Sequence, residues 1–193
     1  MTKNLRKLFC VIGRSASGKT TLVKEVCRKT GMKMIQSYTT RKRRADDDLE
    51  FPDHIFISQD RVKEYVNKMI AYTKIGDAEY FATIDQLHNS DFYVIDPPGY
   101  NELKFKLQLF KEDVQLVPIY VHCDKESAKE RAIKRGQNVN DFEERYHSED
   151  SRFIDFENGH LNECVIIDNS FEFDKSVKNM IDVIEFCLEV NNG

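Results

Sequence analysis

The stretch Gly13-Arg14-Ser15-Ala16-Ser17-Gly18-Lys19-Thr20 decides the fold class. It follows the apolar run 8–12 and matches G-x-x-x-x-G-K-[ST], the P-loop pattern. In a P-loop, small residues let backbone N–H groups surround a phosphate, and the next helix presents its positive end. The pattern assigns Lys19 to the β and γ phosphates and the Thr20 hydroxyl to Mg²⁺, so we expect ATP and Mg²⁺ as ligands. The candidate ATP-binding residues are Gly13, Arg14, Ser15, Ala16, Ser17, Gly18, Lys19, Thr20 and Thr21.

Length and composition suit one soluble domain. The chain has 193 residues, of which 40% are hydrophobic and 32% charged, a balance typical of a globular protein with a sizeable core. The net charge of −4 argues against binding nucleic acid through overall charge. An anionic ligand must therefore meet a local basic patch. We expect a monomer or homodimer that binds neither nucleic acid nor a membrane.

The cysteines indicate a reducing compartment. There are five, they are dispersed, and none forms a Cys-x-x-Cys pair, so we expect reduced, buried thiols and no zinc site. No apolar run approaches the ~20 residues of a membrane span. The apolar run near the N-terminus is too short for a signal peptide. These features together predict a cytoplasmic protein.

Short apolar runs alternate with longer stretches of helical period. The runs predicted as strands are 8–12, 34–37, 92–95, 116–122 and 164–167. The stretches predicted as helices are 19–29, 101–110, 125–134, 141–156 and 174–190. This alternation predicts an α/β fold, with a parallel sheet and helices on both faces. Residues 38–83, which contain short strand-like pieces such as 55–58 and 80–83, and residues 136–140 break the pattern. We interpret both segments as flaps that project from the sheet.

Two further segments carry candidate ligands. Asp96 ends the apolar run 92–95, where a strand beside the P-loop would place an acid near Mg²⁺ or near a second substrate. Asp96 could instead cap the turn through Pro97-Pro98-Gly99. The basic run that begins at Arg41 follows a predicted strand end and opens the long flap. Arginine side chains match phosphate oxygens in a bidentate way, although a basic run can also be a solvated surface.

The chain resembles a guanylate kinase in four segments: "GRSASGKT", "SYTTRKRR", "DHIFIS" and "AKERAIKRG…EERY". The likeness extends over nearly the whole chain, since "CVIIDNSFEFDKSV" is similar to the family's last strand and helix. The resemblance implies a single domain, residues 1–193, with a P-loop kinase core and two insertions. The core would comprise 1–37, 84–134 and 158–193, the flap that binds the nucleoside monophosphate 38–83, and the helical lid 135–157.

The resemblance also implies roles for individual residues. Ser37, Arg41, Arg44 and Tyr80 match positions that hold the acceptor phosphate, and Thr83 and Asp96 match positions near the acceptor base. Arg131, Arg135 and Arg145 match lid arginines that close over the ATP phosphates. Any one of these arginines could instead form a surface ion pair of little energetic value. The expected catalytic residues are Lys19, Arg41, Arg131, Arg135 and Arg145, and the expected metal ligands are Thr20 and Asp96.

Two departures from the family pattern concern the acceptor. His54 replaces a tyrosine that would donate to the phosphate, and Tyr72 stands where we expect the glutamate that reads guanine. Tyrosine cannot reproduce a two-pronged carboxylate contact. We therefore expect an ATP-dependent nucleoside monophosphate kinase acting on (d)GMP. A kinase for a different (d)NMP or a small sugar phosphate is the first alternative, and a non-catalytic binding domain is the second.

Overall fold

The computed structural model describes residues 5–43 and 51–189. The strands are β1 (Arg6–Ile12), β2 (Ser37–Thr39), β3 (His54–Phe56), β4 (Met69–Ile75), β5 (Ala78–Thr83), β6 (Phe92–Val94), β7 (Val114–His122) and β8 (Val165–Asp168). The α-helices are α1 (Lys19–Thr30), α2 (Ile84–Leu87), α3 (Pro97–Phe110), α4 (Lys125–Lys134), α5 (Val139–Ser148), α6 (Asp150–Gly159) and α7 (Phe173–Glu189). Short 3₁₀ helices span Gln59–Glu64, Val66–Lys68 and Leu161–Glu163.

The central sheet is parallel and has the strand order β6-β1-β7-β8. Its β1 is apolar on both faces because helices cover both. Phe9 and Val11 pack with α1 and α7 on one side, and Leu8 and Ile12 pack with α3 and α6 on the other. The prediction of a parallel sheet between two helical layers is confirmed.

A second sheet of short strands, with the order β3-β2-β5-β4, projects from the core. Strand β2 runs parallel to β3 and antiparallel to β5, and β5 runs antiparallel to β4. One side of this sheet joins the central core through Ile70 and Ala82, and the other side carries a separate cluster around Phe81. The sequence predicted short strands here, but not β4, whose alternation is interrupted by a register shift between Met69 and Ala71.

Two predicted elements differ from the structure. The predicted strand 34–37 is reduced to a single bridge between Met34 and Phe92, because the chain leaves the central sheet here and enters β2 at Ser37. The predicted helix 141–156 is two helices, α5 and α6, which meet at Glu149.

All five cysteines are free thiols, but only Cys10 is fully buried, so the prediction of buried thiols holds for Cys10 alone. Within residues 5–43 and 51–189, no helix is both long enough and apolar enough to cross a membrane.

Candidate active site

The P-loop connects β1 to α1, and two of its glycines are required by close approach of the backbone. A Cβ on Gly13 would lie 2.5 Å from the carbonyl oxygen of Val121. Gly18 has φ +84°, and a Cβ there would lie 2.5 Å from Nδ2 of Asn169. Both contacts are far shorter than van der Waals distance. At Gly13 the neighbour is backbone, and at Gly18 a larger residue would have to displace the Asn169 side chain and adopt a left-handed φ. Helix α1 begins directly after Gly18, at Lys19.

Lys19 lies inside the loop. Its Nζ donates a hydrogen bond to the carbonyl oxygen of Arg14 at 2.6 Å. Burial lowers the pKa of Lys19 to about 8, since a low-dielectric environment disfavours the charged ammonium. Thr20 lines the same cavity as Lys19, whereas Thr21 is exposed and lines a separate groove. Eight of the nine predicted ATP-binding residues thus form the loop and the helix start, and Thr21 faces away.

The outer side of the loop is bonded to the protein. The carbonyl oxygen of Ser17 accepts hydrogen bonds from Asn169 at 2.8 Å and from Arg131 at 3.3 Å. Ala16 has φ +59° and packs on the small apolar cluster of α4 and α5 around Phe142. These contacts fix the loop from behind and leave its inner side to the cavity.

Arg14 anchors the loop to α6. Its guanidinium makes two hydrogen bonds of 2.8 Å with the carboxylate of Glu157 and one of 2.6 Å with Asp150. It also lies over the rings of Tyr146 and Phe153, at 5.1 and 5.4 Å from their centroids. The sequence predicted an ATP contact for Arg14, but its side chain is directed into this helical network. Only its backbone remains to face a nucleotide.

Glu149 is a site residue that the sequence analysis missed. It lies at the junction of α5 and α6, is almost fully buried, and lines the cavity. Its carboxylate accepts a hydrogen bond of 2.8 Å from the backbone N–H of Ser15 and a second from the Ser15 hydroxyl. No sequence signal distinguishes this acid from the exposed acids around it, because its partner is 134 residues away.

A cavity of about 450 Å³ joins the P-loop to the second sheet. It brings together ten of the predicted site residues: Gly13, Ser15, Lys19, Thr20, Ser37, His54, Tyr72, Tyr80, Asp96 and Arg145. At the flap end, the hydroxyl of Ser37 and Nδ1 of His54 are 2.9 Å apart, and the rings of His54 and Tyr80 are 5.5 Å apart. These three side chains form a polar group that could bind a phosphate in the cavity that Lys19 also lines.

Asp96 also lines the cavity. Its Oδ1 caps α3 by accepting from the N–H of Gly99 at 3.0 Å, and accepts from the hydroxyl of Thr73 at 3.1 Å. Its Oδ2 is buried, lies 3.5 Å from a guanidinium nitrogen of Arg152, and has no hydrogen-bond partner within the described residues. The capping role considered from the sequence is confirmed, and it occupies only one of the two oxygens. Thr73 and Arg152 are further cavity residues that the sequence analysis did not identify.

Tyr72 borders this cavity although its ring packs elsewhere, and Thr83 does not line the cavity. The Tyr72 side chain packs on the outer cluster around Phe81, and burial together with a hydrogen bond to Glu79 raises its pKa. Thr83 caps α2 and lines the separate groove. Strand alternation directs the neighbouring Ala71 to the cavity, and the base-reading role of Tyr72 stays a prediction.

The predicted arginines are dispersed. Arg145 lines the cavity, and the guanidinium of Arg131 donates to backbone carbonyls of Ser17 and Asn169 at the loop. Arg135 is exposed and donates to the carbonyl of Arg131. The guanidinium of Arg41 lies 4.9 Å from the Phe56 ring centroid and outside the cavity. Arg44, the other predicted acceptor arginine, is outside the described residues.

The described residues contain no group of three or more His, Cys, Asp or Glu side chains arranged to hold a metal ion. A P-loop metal differs from such a cage because nucleotide phosphates supply most of its ligands. The hydroxyl of Thr20 in the first turn of α1 fits that role. Asp96 fits it less well, since its available oxygen faces the positive charge of Arg152.

The fold and the site define a class: a nucleotide-binding P-loop protein built on the core of the P-loop kinases. The chain belongs to the family described as AAA domain, whose profile matches residues 8–149. Its fold is similar to the crystal structure of guanylate kinase from Anaplasma phagocytophilum, with a TM-score of 0.63 and 17% sequence identity over 96% of this chain and 87% of that chain. No curated protein matches the sequence at a significant level.

Proposed function

We propose that the protein is an ATP-dependent nucleoside monophosphate kinase that transfers the γ-phosphoryl group of ATP to (d)GMP, giving (d)GDP and ADP. The observation that carries this proposal is the single cavity that joins Lys19 to Ser37 and His54. A donor phosphate at the P-loop and an acceptor phosphate at the second sheet would share one space. Direct transfer between two bound phosphates requires that arrangement.

The proposed chemistry is positioning and charge neutralisation. The acceptor phosphate is largely dianionic at neutral pH, since its second pKa is about 6, so the reaction needs no general base. Lys19 neutralises charge on the donor, and Arg145 lines the cavity between the two ends. Ser37 and His54 orient the acceptor phosphate. A single well-placed arginine is worth ~10³–10⁵ in rate in related sites.

Bound Mg²⁺ would supply further neutralisation of the β and γ phosphates. Thr20 would hold it together with phosphate oxygens. Arg41, Arg44, Arg131 and Arg135 enter the proposal as residues that approach the phosphates when flap and lid close. Closure also excludes water, which would otherwise hydrolyse ATP.

The cavity wall on β4 favours one alternative. The side chains directed to the cavity there are Ala71, Thr73 and Ile75, and none is an acid that could read guanine by a two-pronged contact. A different (d)NMP or a small sugar phosphate is therefore the second candidate acceptor. A non-catalytic binding domain is disfavoured because Gly13, Gly18, Lys19 and Thr20 form an intact loop.

A coupled assay for ADP tests the proposal with ATP, Mg²⁺ and a panel of GMP, dGMP, AMP, CMP, UMP and dTMP. We expect acceptor-dependent ADP release with GMP or dGMP well above the ATP-only rate. A folded protein that releases no ADP above that rate with any acceptor would contradict the proposal. Tight phosphopeptide binding without ATP binding would support the binding-domain alternative.

A further inference from the structure

The wall of the cavity beyond the predicted acceptor phosphate has to distinguish the base if the acceptor is a nucleotide. The β4 strand offers little for this purpose. Ala71 has no polar atom, and the hydroxyl of Thr73 is used by Asp96. Tyr72 faces the opposite side of the sheet. The wall that the start of α3 and helix α6 form carries further polar side chains that line the cavity.

That wall carries the ion pair between Asp96 and Arg152. The pair lies in contact at 3.5 Å but is not hydrogen-bonded, so both groups retain hydrogen-bonding capacity toward the cavity. Oδ2 of Asp96 is a buried acceptor without a donor, which costs free energy unless a ligand supplies one. Beside this oxygen, Arg152 places a planar guanidinium group that carries several N–H donors.

Packing holds the pair in place. Arg152 lies on α6 next to Phe153, which is buried in the core together with Phe156 one turn further on. The ring of Phe156 packs edge-on against Tyr100 of α3, the helix that Asp96 caps. Side chains that contact a ligand are positioned more precisely by packed helices than by a loop.

We propose that Arg152 is a specificity-determining residue that, with Asp96, selects an acceptor base whose ring presents a carbonyl next to an N–H. Guanine offers this edge, with O6 as acceptor for Arg152 and N1–H as donor to Oδ2 of Asp96. In the same orientation, adenine places an amino donor against the guanidinium and a bare ring nitrogen against the carboxylate. Both protein groups then lose their hydrogen bonds, which is the strongest form of rejection available to a binding site.

In the same geometry, neither Arg152 nor Asp96 contacts the 2-amino group of guanine. Oδ1 of Asp96 already accepts from Gly99 and Thr73, so the carboxylate has only Oδ2 to offer. A two-pronged glutamate would contact N1–H and the 2-amino group together, and no such residue faces the cavity from β4. Inosine monophosphate, which differs from GMP only by lacking that amino group, therefore binds as an equivalent acceptor.

This inference rests on the proposed kinase function, and the assay separates the two. The kcat/KM values of GMP, IMP and AMP are measured with the wild-type protein, Arg152→Met and Arg152→Lys. For the wild type, we expect GMP and IMP to agree within about tenfold and AMP to be on the order of 100-fold poorer. Arg152→Met should lose most of the GMP and IMP activity, mainly through KM, and leave AMP nearly unchanged. Arg152→Lys, which keeps the charge without the fork, should fall between them.

Thermal denaturation and binding of an ATP analogue confirm that each variant is folded, and Arg28→Met, an exposed arginine on α1, is the matched control. An equal loss for all three acceptors in Arg152→Met would overturn the base-reading role. A wild-type preference for GMP over IMP of 100-fold or more would show that the protein contacts the amino group, and would also overturn the base-reading role.

If no monophosphate accepts phosphate, the proposed function fails. Calorimetric titration of GMP, IMP and AMP then tests base selection directly, and equal or absent binding overturns it.

Discussion

The carboxylate of Glu149 is hydrogen-bonded to the third residue of the P-loop, Ser15, through both its backbone N–H and its hydroxyl. The N–H groups of a P-loop are the donors that surround a nucleotide phosphate. In this conformation, one of them is bonded to an acid of the protein. That acid also lies close enough to Lys19 to raise its pKa against the effect of burial.

Replacing Glu149 by glutamine should therefore strengthen nucleotide binding. The amide still accepts from Ser15, but the negative charge that opposes the ATP phosphates is removed. Unit charges ~4 Å apart in bulk water interact by about 1 kcal/mol. Because Glu149 is almost fully buried and less screened than in water, we expect at least roughly fivefold tighter binding of an ATP analogue by calorimetry. Glu143→Gln is the control, since it removes the same charge from a half-buried residue of α5 that pairs with Lys125 and Lys129 of α4. Weaker binding by Glu149→Gln than by the control would show that the acid supports the nucleotide site.

Arg14 should matter more for stability than its place in a nucleotide loop suggests. Replacement by alanine leaves the partly buried Glu157 and its neighbour Asp150 without their cation, and loses contact with two rings. Breaking a buried ion pair costs about 3–5 kcal/mol, so we expect urea denaturation to show a loss near the lower end of that range. Arg28→Ala breaks an exposed pair with Glu25 and should leave the stability nearly unchanged. Similar losses in both variants would be inconsistent with this anchoring role.

Local patterns in the sequence predicted the central fold. The loop motif spans eight residues, and the flanking strand and helix follow from apolar periodicity. The local geometry around Lys19 could therefore be predicted from the sequence. The parallel sheet followed from alternation of the elements. Contacts between distant segments left no such pattern. Glu149 lies in a polar run between two helices, and only the folded chain shows that it is buried against Ser15.

The orientation of the Tyr72 side chain could not be predicted for a different reason. Counting back from Tyr80 gives the position along the strand, but not the face to which a side chain points. A register shift at the start of β4 and the two-residue period of the strand place Ala71 toward the cavity. Arg152 was missed because an arginine on an amphipathic helix is usually solvated. Its partner Asp96 is 56 positions away in the sequence.

Gly18 and Gly31 provide a matched pair of substitutions, since both have left-handed φ values, +84° and +75°. An added Cβ meets open space at Gly31, so Gly31→Ala should cost about 1–2 kcal/mol and leave nucleotide binding unchanged. At Gly18 the Cβ would collide with Asn169, which holds the carbonyl of Ser17. Gly18→Ala should therefore be less stable than Gly31→Ala and lose measurable ATP-analogue binding. Equal behaviour of the two variants in denaturation and calorimetry would contradict the close approach.

Lys19→Met should abolish phosphoryl transfer and leave the fold intact. The methionine side chain fills a similar volume but cannot donate to the Arg14 carbonyl or to a phosphate. We expect activity at the background of the ADP assay, with a melting temperature close to that of the wild type. Near-normal turnover by the folded variant would show that phosphoryl transfer does not require Lys19.

The lowered pKa of Lys19 predicts how nucleotide binding depends on pH. In the empty site, burial lowers the pKa to about 8, helped by the positive charges of Arg145 and Arg135 and opposed by Glu149 and Asp96. A bound polyphosphate favours the ammonium, so it raises the pKa in the complex. Between the two values, binding takes up a proton. The affinity should therefore be constant below about pH 7 and fall above pH 8, by up to tenfold per pH unit.

Calorimetry at pH 8.5 in two buffers of different ionisation enthalpy measures this proton directly. The apparent binding enthalpy should change with the buffer by an amount that corresponds to uptake of a fraction of one proton per site. The same titration at pH 6.5 should show no proton uptake by Lys19, because Lys19 is then protonated in both states. Any difference that remains there comes from the terminal phosphate of the nucleotide, whose second pKa is about 6. Glu149→Gln removes the charge that opposes burial and should shift the onset of the affinity loss to lower pH. An affinity that stays level up to pH 9.5 would mean that the ammonium of Lys19 keeps its proton in the empty site.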